Sequence, residues 1–319
     1  MSRLKVGLVG CGQMGTNHAR VIAECNAADL DVVVDLDAET AARVAARHGA
    51  RSADDLDAVT DCDAVVVASS TAARMEVVGP LLEAGIPTLV EKPFAPTVDQ
   101  LDELLTTATN KDVPVMCGFV ERFNASFQTA VRALDGPPIH LLAVRHSPPT
   151  TRIASSVVHD LMLHDLDAAQ RLFGAAEGKV VGAACVRPES SAWTEIADCT
   201  IAFDNGAMAT LSASRLGQRK IRSLVIYTLE LMVEVDLLRQ DVTVFRNMSQ
   251  AMSVTGGGLG YRSSTEVELP FVRHVGEPLS LQFGHFLDLV AGSADHVEER
   301  RQIWPAHLLA EDISNCPTC

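Results

Sequence analysis

Short apolar runs alternate with amphipathic stretches over the first 120 or so residues. Leu4–Val9, Leu30–Val34, Asp63–Ser69, Ile86–Val90 and Pro114–Gly118 read as buried strands, each closed by a glycine, an acidic residue or a turn. Between them lie helical patterns: one running past Gly15 through His18, Val21 and Ile22, then Ala38–His48, Met75–Ala84 ended by Gly85, and Val98–Thr107 with Thr97 or Asp99 as cap. Strand, helix, strand with short joints predicts a doubly wound parallel sheet. The rhythm changes after a helix beginning near Glu121-Arg122-Phe123-Asn124 and broken at Pro137-Pro138. Strand patterns then dominate, at Ile139–Arg145, Lys179–Val186, Thr194–Phe203, Ala207–Ala213, Ile221–Thr228, Leu231–Val235 and Val242–Phe245, with a hairpin turn at Asn205-Gly206. Leu281–Val290 and Ala306–Ile313 return to helical spacing. The expectation is an α/β chain of two domains, 1–120 on a parallel sheet and 121–319 on an open, mostly antiparallel mixed sheet.

Composition narrows the classes. A 319-residue chain that is 47% apolar can bury two cores, and disorder is excluded. A net charge of −15 disfavours nucleic acid and anionic membranes as partners. No apolar run is long enough for a membrane span, and with the first strand starting at Leu4 no secretory leader is read, so the chain is expected in the cytoplasm. Of the eight cysteines, Cys316 and Cys319 form a C-x-x-C without a partner pair and are expected to be plain thiols. Gly256-Gly257-Gly258 lacks a preceding buried strand and reads as a mobile loop.

The chemistry begins at Gly10-Cys11-Gly12-Gln13-Met14-Gly15. This G-x-G-x-x-G stands directly after a strand and opens a helix. Gly10 permits the tight turn, Gly12 lets the backbone approach a pyrophosphate, and Gly15 allows the helix to pack on the strand. The N–H groups of the first helical turn, which includes Gln13 and Met14, point at the phosphates. Asp35 ends the second strand where a carboxylate would accept from an adenosine ribose and repel a 2′-phosphate, so NAD is expected over NADP. Asp37 reads as a helix cap, and Arg43 as solvated. Ser69, Ser70 and Thr71 follow the third strand on its ligand side, and Glu91-Lys92-Pro93 follows the fourth. Lys92 there can orient a hydroxyl and stabilise a developing oxyanion.

A second cluster lies in Val157–Phe173, expected as one helix. Asp160 and His164 are four apart and share a face. His164 is the natural general base, with Asp160 assisting and Asp167 three residues on able to orient the ring. His159 and Asp165 point elsewhere. The string supplies no convincing zinc ligand set, so no metal is expected.

The glycine motif, Glu91-Lys92-Pro93 and the Asp160/His164 pair, in that order, resemble the glucose–fructose oxidoreductase / inositol dehydrogenase / rhizopine catabolism (Gfo/Idh/MocA) family over nearly the whole chain. The resemblance implies an N-terminal Rossmann domain and a C-terminal α/β domain whose open sheet makes homodimer or homotetramer contacts. It implies hydride transfer between NAD(P) and a CH–OH group of a sugar, sugar nucleotide or cyclitol. In that scheme Lys92 orients the hydroxyl, Asp160 assists it, His164 exchanges its proton, and the Lys92–Pro93 bond is cis. Gly118–Asn124, Arg219-Lys220-Ile221-Arg222 and Glu277-Pro278-Leu279 are similar to the sugar-nucleotide branch, which includes UDP-N-acetylglucosamine 3-dehydrogenases. Arg122, Arg145, Arg215 and Lys220 are thereby candidates for contacting a phosphorylated sugar or a loop phosphate, with an ordinary salt bridge as the other reading of each. Two stretches depart from the family: Ser70–Arg74, where relatives often carry Pro and His, and Leu229-Glu230-Leu231, which replaces a glycine-bearing turn. A keto-sugar or aminocyclitol reductase, or a non-catalytic NAD-binding regulator, fits the same residues.

Overall fold

The computed structural model describes residues 3–150, 155–255, 258–317 and 319, the side chains of 248–263 excepted. Gly256 and Gly257 of the expected loop lie outside them. Two compact units are formed, one by residues 1–123 with 276–311, the other by 124–275 with 312–319.

In the first unit, β1 (Leu4–Val9) leads to α1 (Gln13–Glu24), β2 (Ala28–Val34), α2 (Ala38–His48), β3 (Arg51–Ala53) and β4 (Ala64–Val67). Then come α3 (Arg74–Glu83), β5 (Thr88–Val90), α4 (Val98–Asn110) and β6 (Val115–Cys117). The strands are parallel in the order β3-β2-β1-β4-β5-β6, so the chain runs outward from β1 in both directions. That is a doubly wound sheet with its switch point between β1 and β4. Helix ends follow local chemistry. Asp37 accepts from the N–H groups of Glu39 and Thr40 at the start of α2, and Gly49 (φ 71°) closes it. Thr97, of the two expected caps, accepts from Gln100 N–H at the start of α4.

The second unit contains α5 (Ala125–Ala133), capped by Asn124, and β7 (His140–His146). A π-turn (Val158–Met162) and α6 (Leu163–Phe173) follow. The strands β8 (Gly178–Val186), β9 (Ile196–Phe203), β10 (Met208–Ser214), β11 (Ile221–Tyr227), β12 (Leu231–Asp236), β13 (Asp241–Thr255) and β14 (Gly258–Glu268) complete the sheet. Its order is β14-β13-β12-β11-β7-β10-β9-β8. Only β7 and β10 pair in parallel; the other neighbours are antiparallel. Asn205-Gly206 turns β9 into β10, with Gly206 at φ 85°. The β11–β12 turn needs no glycine: Thr228 Oγ1 accepts from the N–H groups of Glu230 and Leu231, so a side chain closes it.

The chain then returns to the first unit, where an uninterrupted 121–319 domain was expected. The reason lies in α7 (Pro278–Val290). Its Leu279, Phe283, Phe286 and Leu287 form one helical stripe that joins Val6, Leu8, Ile22, Val33 and Leu89 in the core of the first unit. Helices α8 (His296–Arg301) and α9 (Trp304–Ser314) follow.

The terminal C-x-x-C also differs from expectation. Cys319 is bonded to Cys185 on β8, with Cα atoms 4.4 Å apart, while Cys316 is a free thiol. The tail lies beside β8, where Cys316 Sγ approaches Ala183 O at 3.8 Å. No helix among the described residues is long and apolar enough to cross a membrane.

Candidate active site

The three glycines of the first loop carry three different constraints. Gly10 has φ 94°, and a Cβ on it would stand 2.5 Å from Ser69 N. A Cβ on Gly15 would fall 1.9 Å from Gly10 O. A Cβ on Gly12 would meet no heavy atom of the described residues within 4 Å. Fold geometry therefore requires Gly10 and Gly15, whereas Gly12 leaves a cradle in front of α1. Gly12 is also the N-cap of α1 and makes no side-chain cap bond, so the first-turn N–H groups keep their anion-binding capacity. These features fit a dinucleotide pyrophosphate. Substituting valine at Gly12 is expected to weaken nicotinamide-nucleotide binding about 100-fold, some 2.7 kcal/mol. The melting temperature should fall by only a few degrees, the cost of valine at an N-cap, because the side chain fills space that no protein atom of the described residues occupies. Nucleotide titration followed by intrinsic fluorescence, beside a thermal melt, checks both halves.

Asp35 is half-buried just after β2. Its Oδ2 accepts from Cys11 N–H at 2.6 Å and its Oδ1 from Asp37 N–H at 2.9 Å. The carboxylate thus stands beside the glycine loop and helps to shape it. Burial, with the charge of Asp35 next in size, pushes the Cys11 thiol up to about 12, so it stays a neutral thiol. Arg43 bonds Thr40 Oγ1 at 3.1 Å.

At the carboxyl ends of β4 and β5 the ligand-side loops are tied together. Arg74, only 3% exposed, donates from Nε and Nη2 to Ser69 O at 3.2 and 2.8 Å. Its Nη1 donates to the carbonyls of Glu91 and Pro93. Arg74, in the stretch that departs from the family's pattern, is therefore a clamp between the two loops. Desolvation, opposed by the charge of Glu91, pushes its guanidinium down to about 10, still charged at neutral pH. Ser69, Ser70 and Thr71 lie on this edge, with Ser69 half-buried and Ser70 exposed.

Glu91 is buried and meets His18 of α1, Oε1 to Nε2, at 2.8 Å. Burial alone would raise its carboxyl pKa. The His18 hydrogen bond and the charges around it, those of Lys92 and Arg74 included, outweigh burial and hold it below the usual carboxylate range. An ionised Glu91 can only accept, so His18 Nε2 carries the proton of this bond. Sequence reasoning named Glu91 and passed over His18, which sits three residues after Gly15 on the face that helical periodicity already assigned to the core. Lys92 follows, half-buried, and the Lys92–Pro93 bond is cis.

In the second unit, the expected single helix over 157–173 opens with a π-turn. Asp160 lies in that turn, and His164 is the second residue of α6, half-buried. Two buried arginines hold the segment. Arg215, 2% exposed, reaches Asp160 Oδ2 from Nη1 at 3.5 Å and Glu195 Oε2 from Nε at 2.8 Å. It also donates to Ser155 O at 2.6 Å. Glu195 is held below its ordinary pKa; desolvation opposes this, but the bonds from Arg215 and Ser191 prevail. Arg145, 1% exposed, grips Asp165 through Nε at 3.0 Å to both oxygens and through Nη2 at 2.7 Å to Oδ1. Asp160 and Asp165 are five residues apart, and an i→i+5 turn brings such residues toward one face. Their partners leave neighbouring strands at one level, Arg145 beside Ala213 in the parallel β7–β10 pair and Arg215 two residues later.

The expected phosphate contacts are accordingly placed otherwise. Arg122, 6% exposed, bonds Glu299 Oε1 at 2.7 Å and Gln302 O at 3.1 Å and covers the Phe119 ring at 4.8 Å. Arg122, Arg145 and Arg215 are each committed to a carboxylate inside their own unit. Of the four, Lys220 alone is exposed, in the turn before β11. Asp165, expected to point away from any site, is the residue that locks α6.

A doubly wound sheet with an open glycine cradle at its switch point is the architecture of a dinucleotide-binding domain. The model of the oxidoreductase family with an NAD-binding Rossmann fold, Gfo/Idh/MocA, matches residues 4–119. UDP-N-acetylglucosamine 3-dehydrogenase of Acidithiobacillus ferrooxidans is 30% identical over 249 residues, 77% of this chain and 78% of its own. Myo-inositol dehydrogenase Hyg17 of Streptomyces leeuwenhoekii is 34% identical over 229 residues, 66% of this chain and 70% of its own. The solved structure of UDP-N-acetylglucosamine 3-dehydrogenase GnnA from A. ferrooxidans matches with a TM-score of 0.85 at 27% identity, over 98% of both chains. The chain belongs to the Gfo/Idh/MocA oxidoreductase family.

Proposed function

We propose that this protein is an NAD-dependent dehydrogenase that oxidises a secondary hydroxyl of a sugar nucleotide. The observation that carries the reading is the Gly12 cradle before α1, with Lys92 held at the carboxyl edge of the same sheet. The relatives that act on UDP-N-acetylglucosamine and on myo-inositol support a polyhydroxylated ring as substrate. Of the two, the sugar nucleotide is preferred, since the relative named for it covers the larger share of the chain. Lys220 is the cation proposed to meet its phosphates.

A bound nicotinamide supplies the hydride acceptor. The protein's own groups do the rest. Gly10, Gly12, Gln13, Met14 and Gly15 hold the pyrophosphate through backbone N–H groups and the start of α1, and Asp35 takes the ribose hydroxyls. Ser69, Ser70, Thr71 and Glu91 frame the nicotinamide side. Lys92 donates to the reacting oxygen and stabilises the negative charge it gains. Asp160, braced by Arg215, accepts from the same hydroxyl or helps its proton move. His164 takes the proton from O–H while the neighbouring C–H gives up its hydride. Reduction reverses the order. Asp35 would repel a 2′-phosphate, which favours NAD over NADP.

Alternate positions of β7 (His140, Leu142, Val144 and His146) are half-exposed on one face of the sheet, and we assign that face to a homodimer or homotetramer contact.

The test is reduced-nicotinamide absorbance with NAD and NADP in turn, against UDP-N-acetylglucosamine, its uronate, free and phosphorylated hexoses, inositols and aminocyclitols. Signal with a sugar nucleotide and NAD is the expected result. Signal with inositols alone would move the substrate class, and turnover with NADP only would overturn the role of Asp35.

A further inference from the structure

We propose that His307 is a positioning residue for Lys92, acting through the backbone of the turn that carries the lysine. This rests on the reading of Lys92 as the group that meets the reacting hydroxyl.

The turn Glu91–Phe94 is gripped at several points. Glu91 N–H donates to Val67 O at 2.9 Å, which ties its start to β4. The carbonyls of Glu91 and Pro93 accept from Arg74, and the Glu91 side chain accepts from His18. Pro93 has no N–H, so Phe94 supplies the next amide after Lys92. That N–H donates to His307 Nε2 at 2.9 Å. The imidazole is itself fixed: Nδ1 lies 2.8 Å from Ile303 O, one turn back in the chain. A carbonyl only accepts and an amide N–H only donates, so Nδ1 must carry the proton and Nε2 must offer a lone pair. The neutral imidazole with its proton on Nδ1 is thus set by two backbone groups. His307 is 5% exposed, Phe94 is fully buried, and the imidazole is 5.7 Å from the Phe119 ring.

Packing alone would be served by an apolar side chain here. A buried ring that accepts from one amide and donates to one carbonyl specifies a geometry instead. What it specifies is the course of the backbone two residues after Lys92. Lysine has a flexible four-carbon stem, so the accuracy of its ammonium depends on how well its Cα is held. Catalytic groups displaced by about 1 Å can cost on the order of 100-fold in rate. His18 holds the side of the turn nearest β5, Arg74 spans it from Glu91 O to Pro93 O, and His307 holds the first amide after Lys92. Its 213-residue separation from Phe94 explains why no local motif marks it.

The chain has five lysines, Lys5, Lys92, Lys111, Lys179 and Lys220, and all but Lys92 are exposed. Reductive ¹³C-dimethylation keeps the charge and gives each lysine its own resonance, assigned by Lys→Arg substitution. In His307→Met the side chain is of similar length but has no comparable acceptor. In His307→Asn a polar group remains but falls short of Phe94. His307→Gln restores an acceptor at the Nε2 position. The Met and Asn variants are expected to move the Lys92 resonance to the positions of the exposed lysines, with the other four unchanged, and Gln to return it. With NAD and UDP-N-acetylglucosamine as probe, turnover should fall about 10–100-fold in Met and Asn, with NAD affinity within about twofold. That fall should vanish in a Lys92→Met background. A Lys92 resonance that stays put in whichever of the Met and Asn variants folds, as judged by thermal melt, would overturn the proposal. Wild-type turnover in Lys92→Met would instead sink the functional reading, while the resonance still decides the positioning.

Discussion

Replacing His164 with alanine is expected to lower turnover about 1,000-fold, in the middle of the range for loss of a general acid–base group. NAD affinity should stay within about twofold, because dinucleotide binding is assigned to residues of the other unit. The size of the effect follows from what the site lacks without it. Lys92 can stabilise charge on the oxygen, but an ammonium already carrying its proton cannot take another. Asp160 has one oxygen engaged by Arg215. His164 is then the group whose neutral form can accept a proton near neutrality. A second consequence separates this role from a structural one. In the oxidative direction wild-type kcat/KM should fall as pH is lowered, since a protonated imidazole cannot act as base. The alanine variant should lose that acid limb. Steady-state rates across pH on both proteins check it. An unchanged pH profile in His164→Ala would remove the histidine from the reaction.

Arg145→Met is expected to be the most damaging single change to folding. It leaves the Asp165 carboxylate, whose side chain is 3% exposed, without the guanidinium that holds it at three short distances. Breaking a buried pair from one side costs about 3–5 kcal/mol, because the remaining charge is stranded. For a chain of this size that corresponds to a fall in Tm of roughly 2–4 °C per kcal/mol. The double variant Arg145→Met/Asp165→Leu should recover most of the loss, as an apolar pair of similar volume is often neutral. Thermal melts of the three proteins decide it. If Arg145 were a ligand for substrate phosphate, the single variant would melt like wild type and lose substrate affinity.

The sequence stops being legible at the same buried pairs. Periodicity and caps identified β1 and α2 to the residue, the Asp37 cap and the Asn205-Gly206 turn, and narrowed the α4 cap to Thr97 or Asp99, because those signals are local. The glycine loop was legible for the same reason. β3 was missed because Arg51–Ala53 is a short, exposed edge strand with no apolar run. The arginines were legible only as candidates, for a phosphate or for a salt bridge, because their partners are distant: Asp165 is 20 residues from Arg145, Asp160 is 55 from Arg215 and Glu299 is 177 from Arg122. An arginine near a proposed site reads as an anion ligand until the buried carboxylate opposite it is known. The return of 276–311 to the first unit was hidden in the same way, since the apolar stripe of α7 states that the helix packs but not against which core. The π-turn had no residue signal.

The central claim is that a hydride passes between a sugar hydroxyl carbon and the nicotinamide. Incubating the protein with NAD and UDP-N-acetylglucosamine carrying deuterium at C3, then weighing the nicotinamide product, tests it most directly. Reduced nicotinamide heavier by one deuterium is the expected result. Reduced nicotinamide formed without the label would place the reacting carbon elsewhere on the sugar. Bound NAD with no reduction by any sugar nucleotide, inositol or hexose would contradict the claim.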